Sequence, residues 1–399
     1  MPDPGPERGS LDPARLPLGG IRVADFSRVL AGPLATMLLA DLGADVVKVE
    51  RPATGDDSRG WGPPFIGEDA AYFLSLNRNK RSVVLDLGTA EGRDAARRLA
   101  LTADVVVENF RPGLMASFGL DHPTLSAERP DLVYCSLTAF GDAPGAASRP
   151  GYDIIVQAVS GLMSFTGQPG GEPTKVGVAL LDVICGLYAA NAIQAALLGR
   201  RRTGRGTHVS VSLFDTSVAA LVNQAANHLL GGLVPGPMGS QHPNIVPYQL
   251  FEAADRPFIL AAGNDRLFER MCEVLGRPEL AREERFATNR ARVQHRQTLI
   301  PILQEAFEAR PADEWLRGLA DAGVPSAPVR RLDEVFSSPE GAATVQEVQD
   351  PVRGLLRLVG PPFHLDGSVP PVRRPPPRLG EHTDEVLRAL GGRPREAGP

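Results

Sequence analysis

The stretch between residues 21 and 50 constrains the fold more than any other. Ile21-Arg22-Val23-Ala24-Asp25-Phe26 reads as a strand, residues 33–42 as a helix opened by Pro33, and residues 45–50 as a second strand. Strand, helix and strand at this spacing make a βαβ unit, whose two strands lie parallel in one sheet. Further strands are expected at residues 82–87, 105–108 and 132–137, separated by helical stretches at 90–101 and 113–118. The alternation predicts an open parallel sheet covered by helices.

Downstream, the apolar run from Val176 to Gly186 leads into a helical pattern through Leu187, Ala190, Ile193 and Leu197, followed by a strand at 208–212. The texture changes near Asn223. A glycine- and proline-rich loop at 231–247 precedes a strand at 258–262 and helices at 265–275, 299–309 and 312–322. Short strands, proline-rich turns and a final helix at 384–390 close the chain. The fold class is therefore α/β: a discontinuous Rossmann-like large domain with a parallel sheet, plus a smaller α+β domain. The expected division is 12–200 for the first part of the large domain, 201–224 for a linker, 225–325 for the small domain, and 326–399 for the return. Residues 1–17 read as a loose arm, with no apolar core for a signal peptide or anchor, and Pro370 to Pro377 as an extended strap.

With 399 residues and 43% hydrophobic content the chain can bury a large core. A net charge of -5 gives no global attraction to nucleic acid or anionic lipid. The run Arg200-Arg201-Arg202 reads as the solvated end of a helix rather than a nucleic-acid patch. No uninterrupted apolar stretch reaches the ~20 residues of a membrane span, because Asp182, Asn191 and Gln194 interrupt the longest one. Three cysteines, Cys135, Cys185 and Cys272, lack paired spacing, so neither a disulfide framework nor a zinc site is expected, and a reducing cytoplasm fits. The expected partner is a small molecule.

Chemistry enters with Asp182, a lone carboxylate at a loop-to-helix junction among aliphatic neighbours. It reads either as an N-cap or as a nucleophile kept ionised by backbone N–H groups at the helix start. Cys185 could be a thiol nucleophile or simply a small buried hydrophobe. Four polar clusters fall at predicted strand ends, where open α/β sheets bind ligands: 27–33, 49–59, 77–82 and 108–113. Glu50 at the end of the second strand invites a nicotinamide reading, but Ser27-Arg28-Val29-Leu30-Ala31-Gly32-Pro33 replaces the glycine fingerprint that such a site needs.

In this order and wording the clusters resemble the class III coenzyme A transferases, the CaiB/BaiF family. The resemblance covers residues 19–390 and rests on Arg28-Val29-Leu30-Ala31-Gly32-Pro33, Asn77-Arg78-Asn79-Lys80-Arg81-Ser82 and Leu379-Gly380-Glu381-His382-Thr383, with Gly151-Tyr152-Asp153 and Asp182 between them. Gly62-Pro63-Pro64-Phe65, Ala158-Val159-Ser160-Gly161-Leu162-Met163 and Val246-Pro247-Tyr248-Gln249 look most like succinyl-CoA:glutarate CoA-transferases.

The resemblance implies that Asp182, in an Asp-x-x-x-Gly segment ending at Gly186, is the nucleophile. It forms an aspartyl-acyl anhydride while CoA is moved from an acyl-CoA donor, succinyl-CoA by expectation, to a carboxylic or dicarboxylic acid. Val29, Leu30 and Ala31 are expected to line the CoA path. Arg51, Lys80, Asn109, Phe110 and Arg111 are expected to contact the cofactor, with Leu85 packed beside it. Some relatives have other residues at Leu30, Gly88 and Ser117, so phosphate recognition is left open. A covering loop is expected at Met238-Gly239-Ser240-Gln241-His242, with Gly239 and Ser240 over the acyl group. Arg28 and Arg292 are candidates for the distal carboxylate of a dicarboxylate. Related racemases carry His where this chain has Tyr152, and a phenol donates a hydrogen bond better than it abstracts a proton at neutral pH, which favours transfer over the acyl-CoA racemase alternative. The family also implies an interlocked homodimer and requires no metal.

Overall fold

A computed structural model describes residues 15–141, 145–146 and 149–391. Most of the expected N-terminal arm, residues 1–14, and the end of the C-terminal return, 392–399, lie outside the described residues. The chain divides into two compact units. One is drawn from Met1–Ser160, Val176–Ala226 and Glu340–Pro399, the other from Gly161–Lys175 and Asn227–Pro339. The smaller unit thus takes in 161–175, which the sequence pattern assigned to the large domain. Within that unit the segment is tied down by the Gly239 N–H, which donates to the Gly167 carbonyl at 2.8 Å.

The larger unit is built on six strands: β1 (Arg22–Asp25), β2 (Asp45–Glu50), β3 (Lys80–Val84), β4 (Val105–Glu108), β5 (Val133–Thr138) and β6 (His208–Ser212). Their order across the sheet is β3-β2-β1-β4-β5-β6, every neighbouring pair parallel. Val46 and Val47 in β2, and Val105, Val106 and Val107 in β4, are buried, as strands covered on both faces require. The order reverses between β1 and β4, and the crevice beyond the carboxyl ends of those strands is where such sheets take ligands.

β3 begins two residues before the expected start and ends three before the expected end. Lys80 and Ser82 sit on one face of the strand and find buried carboxylates there: the Lys80 ammonium meets Asp25 at 3.1 Å, and the Ser82 hydroxyl donates to Glu50 at 2.6 Å. Polarity that looks like a surface signal is a buried network.

Helices α1 (Ala31–Asp41), α2 (Ala90–Thr102) and α4 (Leu180–Thr203) flank the sheet, and α3 (Asp153–Val159) packs on α4. By length and composition α4 could cross a membrane, but 44% of its apolar window is buried inside the protein, through a face that includes Leu181, Cys185, Ala189 and Ile193. It runs on through the three arginines and stops at Gly204, whose φ of 68° suits a residue without a side chain. Arg200 reaches Asp104 at 3.0 Å, so the charge run is a helix end with a partner.

The return segment forms an antiparallel hairpin, Val345–Asp350 with Gly354–Val359. The proline-rich strap beyond it is pinned near β3: the Asn79 N–H donates to the Arg374 carbonyl, and the Arg59 guanidinium to the Pro377 carbonyl.

The smaller unit packs a three-stranded antiparallel sheet (Tyr248–Glu252, Pro257–Ala261, Ser326–Pro328) with helices Asp265–Leu275, Arg296–Phe307 and Ala312–Asp321. Phe251, Phe258, Phe307 and Trp315 meet at ring-centroid distances that include 5.0 Å for Phe251 and Phe307 and 5.3 Å for Phe307 and Trp315. Burying each of these rings stabilises the unit by roughly 2–3 kcal/mol.

Candidate active site

The loop after β1 is held in an unfavourable shape. Val29 adopts φ 71°, a left-handed conformation that a β-branched residue avoids. Asn109, just beyond β4, clamps the preceding peptide from both sides: its side-chain oxygen accepts from the Arg28 N–H at 2.8 Å, and its amide donates to the Arg28 carbonyl at 2.7 Å. The Val29 N–H donates to both oxygens of Asp56 at 3.2 Å. Gly32 lets α1 begin immediately afterwards, because a Cβ there would lie 2.2 Å from that of Ser27.

This loop forms one wall of a cleft of about 310 Å3. The expected contacts Val29, Leu30, Ala31, Asn109, Phe110 and Arg111 line it, as do Tyr152 and Asp182. A second cavity of about 210 Å3 lies beyond Phe110, with Arg51, Leu85 and Gly88 among its walls. Arg28 and Phe110 border both, the guanidinium 4.8 Å above the ring.

Asp182 occupies the third position of α4 but does not cap it. The cap comes from Asp153 at the start of α3: its Oδ2 accepts from the Leu181 N–H at 2.8 Å and the Asp182 N–H at 3.3 Å. Gln157 holds Asp153 in place, donating to its other oxygen while accepting from the Val176 N–H at 2.9 Å. The Asp182 carboxyl is thereby left without a hydrogen-bonding partner among the described residues and lines the cleft. Burial, and after it the charge of Asp153, push its pKa up to about 7. A helix terminus favours a carboxylate by ~0.3–1 kcal/mol, whereas that rise corresponds to about 4 kcal/mol, so burial wins. Gly186, one turn on, is needed for packing: a Cβ would come within 2.7 Å of the Ala31 carbonyl oxygen.

The Cys185 thiol, fully buried beside Asp182, is pushed up to about 12 by burial first and the Asp182 charge second, so it stays protonated and is no nucleophile. Tyr152 is 63% exposed at the cleft wall. Tyr72 had no sequence signal. Its phenol is raised to about 12 by burial, then by Asp182, Asp153 and Asp56, and so remains a proton donor in the field of Asp182.

Two expected roles need correction. Lys80 is wholly buried, and its ammonium donates to Asp25, the Pro33 carbonyl and Asn77, which uses all three N–H groups and leaves none for a ligand. Arg292 is equally buried in the smaller unit and is taken up by the Val246 and Phe286 carbonyls and Asp265. Glu50, whose nicotinamide reading the missing glycine fingerprint had already disfavoured, is occupied by Arg59, Ser82 and the Asp56 N–H.

Gly239 and Ser240 belong to the smaller unit. Gly239 has φ 61°, and the Ser240 hydroxyl accepts from the Leu250 N–H at 2.9 Å. In the same loop His242 accepts from the Asn244 N–H through Nδ1, and Arg296 donates to its carbonyl. No group of three or more His, Cys, Asp or Glu suited to a metal ion occurs among the described residues.

Residues 18–383 match the profile of CoA-transferase family III. The chain belongs to CoA-transferase family III. This family III enzyme is 44% identical to the succinate–glutarate CoA-transferase of Agrobacterium fabrum over 96% of its own length and 98% of that protein. It is 41% identical to the human succinyl-CoA:glutarate CoA-transferase over 94% of the chain and 86% of that protein. Among solved structures, a CaiB/BaiF family protein from Brucella suis superposes with a TM-score of 0.82 at 44% identity, covering 94% of this chain and 99% of that one.

Proposed function

We propose that this family III CoA-transferase moves CoA from succinyl-CoA to a second dicarboxylic acid of the glutarate type, through a mixed anhydride on Asp182. The observation that carries this reading is the uncapped Asp182 carboxylate at the wall of a cleft, its helix capped by Asp153 instead. The names of the similar Agrobacterium and human enzymes support the choice of donor and acceptor.

In the proposed cycle an Asp182 oxygen attacks the thioester carbonyl, the C–S bond breaks, and CoA leaves as a thiolate held by its nucleotide. The acceptor carboxylate attacks the aspartyl carbonyl of the anhydride and expels the donor acid. The thiolate then attacks the acyl carbon of the new anhydride, forming the product thioester and restoring Asp182. Arg51, Asn109, Phe110 and Arg111 are the proposed CoA contacts, with Val29, Leu30, Ala31 and Leu85 along its path. Tyr152 is a proposed hydrogen-bond donor to the acyl group. Exclusion of water from the anhydride is assigned to the loop of Gly239 and Ser240. With Arg292 internally engaged, Arg28 is the remaining candidate of the two for the distal carboxylate.

An interlocked homodimer is part of the proposal. Apolar side chains left in water support it, among them Leu230 and Val234 in the smaller unit and Leu198 in the larger, at 89%, 83% and 67% exposure. The three free, buried cysteines suit the cytoplasmic setting we propose.

Mass spectrometry of the protein after incubation with succinyl-CoA and hydroxylamine tests the reading. A hydroxamate at Asp182, absent from Asp182→Ala, is the expected result. An unmodified Asp182 across a panel of acyl-CoAs would remove the anhydride from consideration.

A further inference from the structure

Beneath the Ser27 to Leu30 loop lies a charged network that takes no part in the proposed chemistry. Lys48 and Asp56 are both buried, their side chains 2.8 Å apart. The same ammonium donates to the Ser27 carbonyl at 2.8 Å, while Asp56 receives the Val29 N–H on both oxygens. Ser58 adds two more bonds to Asp56, from its N–H and its hydroxyl. Burial works against the charge of Asp56, but Lys48 and Ser58 outweigh it and hold the carboxyl down at about 2, so the acceptor of the Val29 peptide is ionised at every physiological pH.

A β-branched residue stays at φ 71° only when its surroundings over-determine it, and strain of that kind gathers at ligand clamps. Here the determinants are the Asp56 carboxylate on the Val29 N–H and the Asn109 amide on the Arg28 peptide. Asn109 faces the cleft itself; Asp56 and Lys48 do not line it, though both reach the wall of the second cavity beyond Phe110.

We propose that Asp56, fixed by Lys48, is a positioning residue for acyl-CoA: it holds Val29 in the left-handed conformation that presents residues 29–31 to the ligand. The inference rests on the reading of those residues as the CoA path. Without the carboxylate the Val29 peptide relaxes, and the relaxation is reversed on binding, so affinity falls while the chemistry at Asp182 is untouched.

The test is a double-mutant cycle of Asp56→Asn with Val29→Gly, followed by calorimetric affinity for CoA and steady-state kinetics with succinyl-CoA. Glycine adopts positive φ without strain and needs no carboxylate to keep it there. In the valine background Asp56→Asn is expected to weaken CoA binding and raise KM by about tenfold, with kcat within about twofold. In the glycine background the same substitution is expected to have no effect on either. A merely structural Asp56 would lower thermal stability equally in both backgrounds and leave KM unchanged, which overturns the proposal.

If Asp56→Asn fails to fold, the pair is replaced as Lys48→Met with Asp56→Leu, which leaves no lone buried charge. That variant must show the same glycine-rescued rise in KM, and a wild-type KM overturns the proposal. Wild-type protein without affinity for CoA would sink the CoA reading and the inference together. A binding wild type matched by Asp56→Asn sinks only the inference.

Discussion

In the proposed cycle Asp182 attacks as a carboxylate, and its pKa near 7 makes the acylation step depend on pH in the neutral range. With that midpoint about one-tenth of the enzyme is ionised at pH 6 and about nine-tenths at pH 8. The single-turnover rate of CoA release from succinyl-CoA is therefore expected to rise about tenfold between those values. The informative perturbation is Asp153→Asn. Asparagine keeps an oxygen for the Leu181 N–H, so α4 remains capped, but it removes the charge that is the second cause of the raised pKa.

Because burial is the larger cause, the substitution should recover less than half the distance from about 7 to the ordinary 3.8. The midpoint is expected to move down yet stay above about 5.4. Loss of the Gln157 bond to the other oxygen lowers stability, but it does not move the midpoint. Quenched-flow mass spectrometry of acylated protein between pH 5 and 9, on wild type and Asp153→Asn, measures both. A wild-type rate that is flat from pH 6 to 8, or an unshifted midpoint in the variant, would refute the assignment of Asp182 as a buried carboxylate opposed by Asp153.

The same raised pKa predicts a stability effect of defined sign. A carboxyl whose pKa is higher folded than unfolded favours the fold below the unfolded value and loses that contribution as pH rises through the folded one. Asp182→Asn should therefore unfold at the same urea concentration as wild type near pH 3 and be more stable at pH 8, by about 2 kcal/mol once partial solvent access is discounted; equal stability at pH 8 would contradict the burial penalty. Gly186→Ala is expected to destabilise the larger unit by about 2 kcal/mol, because its methyl group would be driven against the Ala31 carbonyl where α1 and α4 meet; a chemical-denaturation midpoint matching wild type would show that the helices separate freely. Cys185→Ala should retain transfer activity within about threefold, since the thiol is protonated at neutral pH; loss of hydroxamate formation in that variant would restore the thiol as a contender.

The strands were legible wherever burial and apolarity coincide. β2 and β4 have the expected bounds because valine-rich runs covered on both faces leave little else to read, and β6 because its valines alternate with polar residues on a half-exposed edge strand. The pattern misplaced β3, whose Lys80 and Ser82 answer carboxylates buried on neighbouring strands. It also passed over the strand Tyr248–Glu252, which follows directly on the glycine- and proline-rich loop at 231–247. The cleft residues were named from the resemblance, but which of them face a ligand and which face the protein was not. Lys80 and Arg292 show why: a cation in a sequence carries no sign of where its partners are, and both find them inside.

Asp153 and Asp56 show the same limit from the opposite charge. Taken one at a time along the chain, each acidic residue near a predicted strand end or helix start is a candidate ligand, cap or nucleophile with nothing to choose between them. The fold decides by competition for a finite set of donors. The N–H groups of Leu181 and Asp182 go to Asp153, and the Val29 N–H goes to Asp56. Asp182 is left facing the cleft with no donor of its own among the described residues. An undercompensated carboxylate is costly to bury and for that reason reactive, so the satisfaction of its neighbours is what suits Asp182 to the nucleophilic role proposed for it.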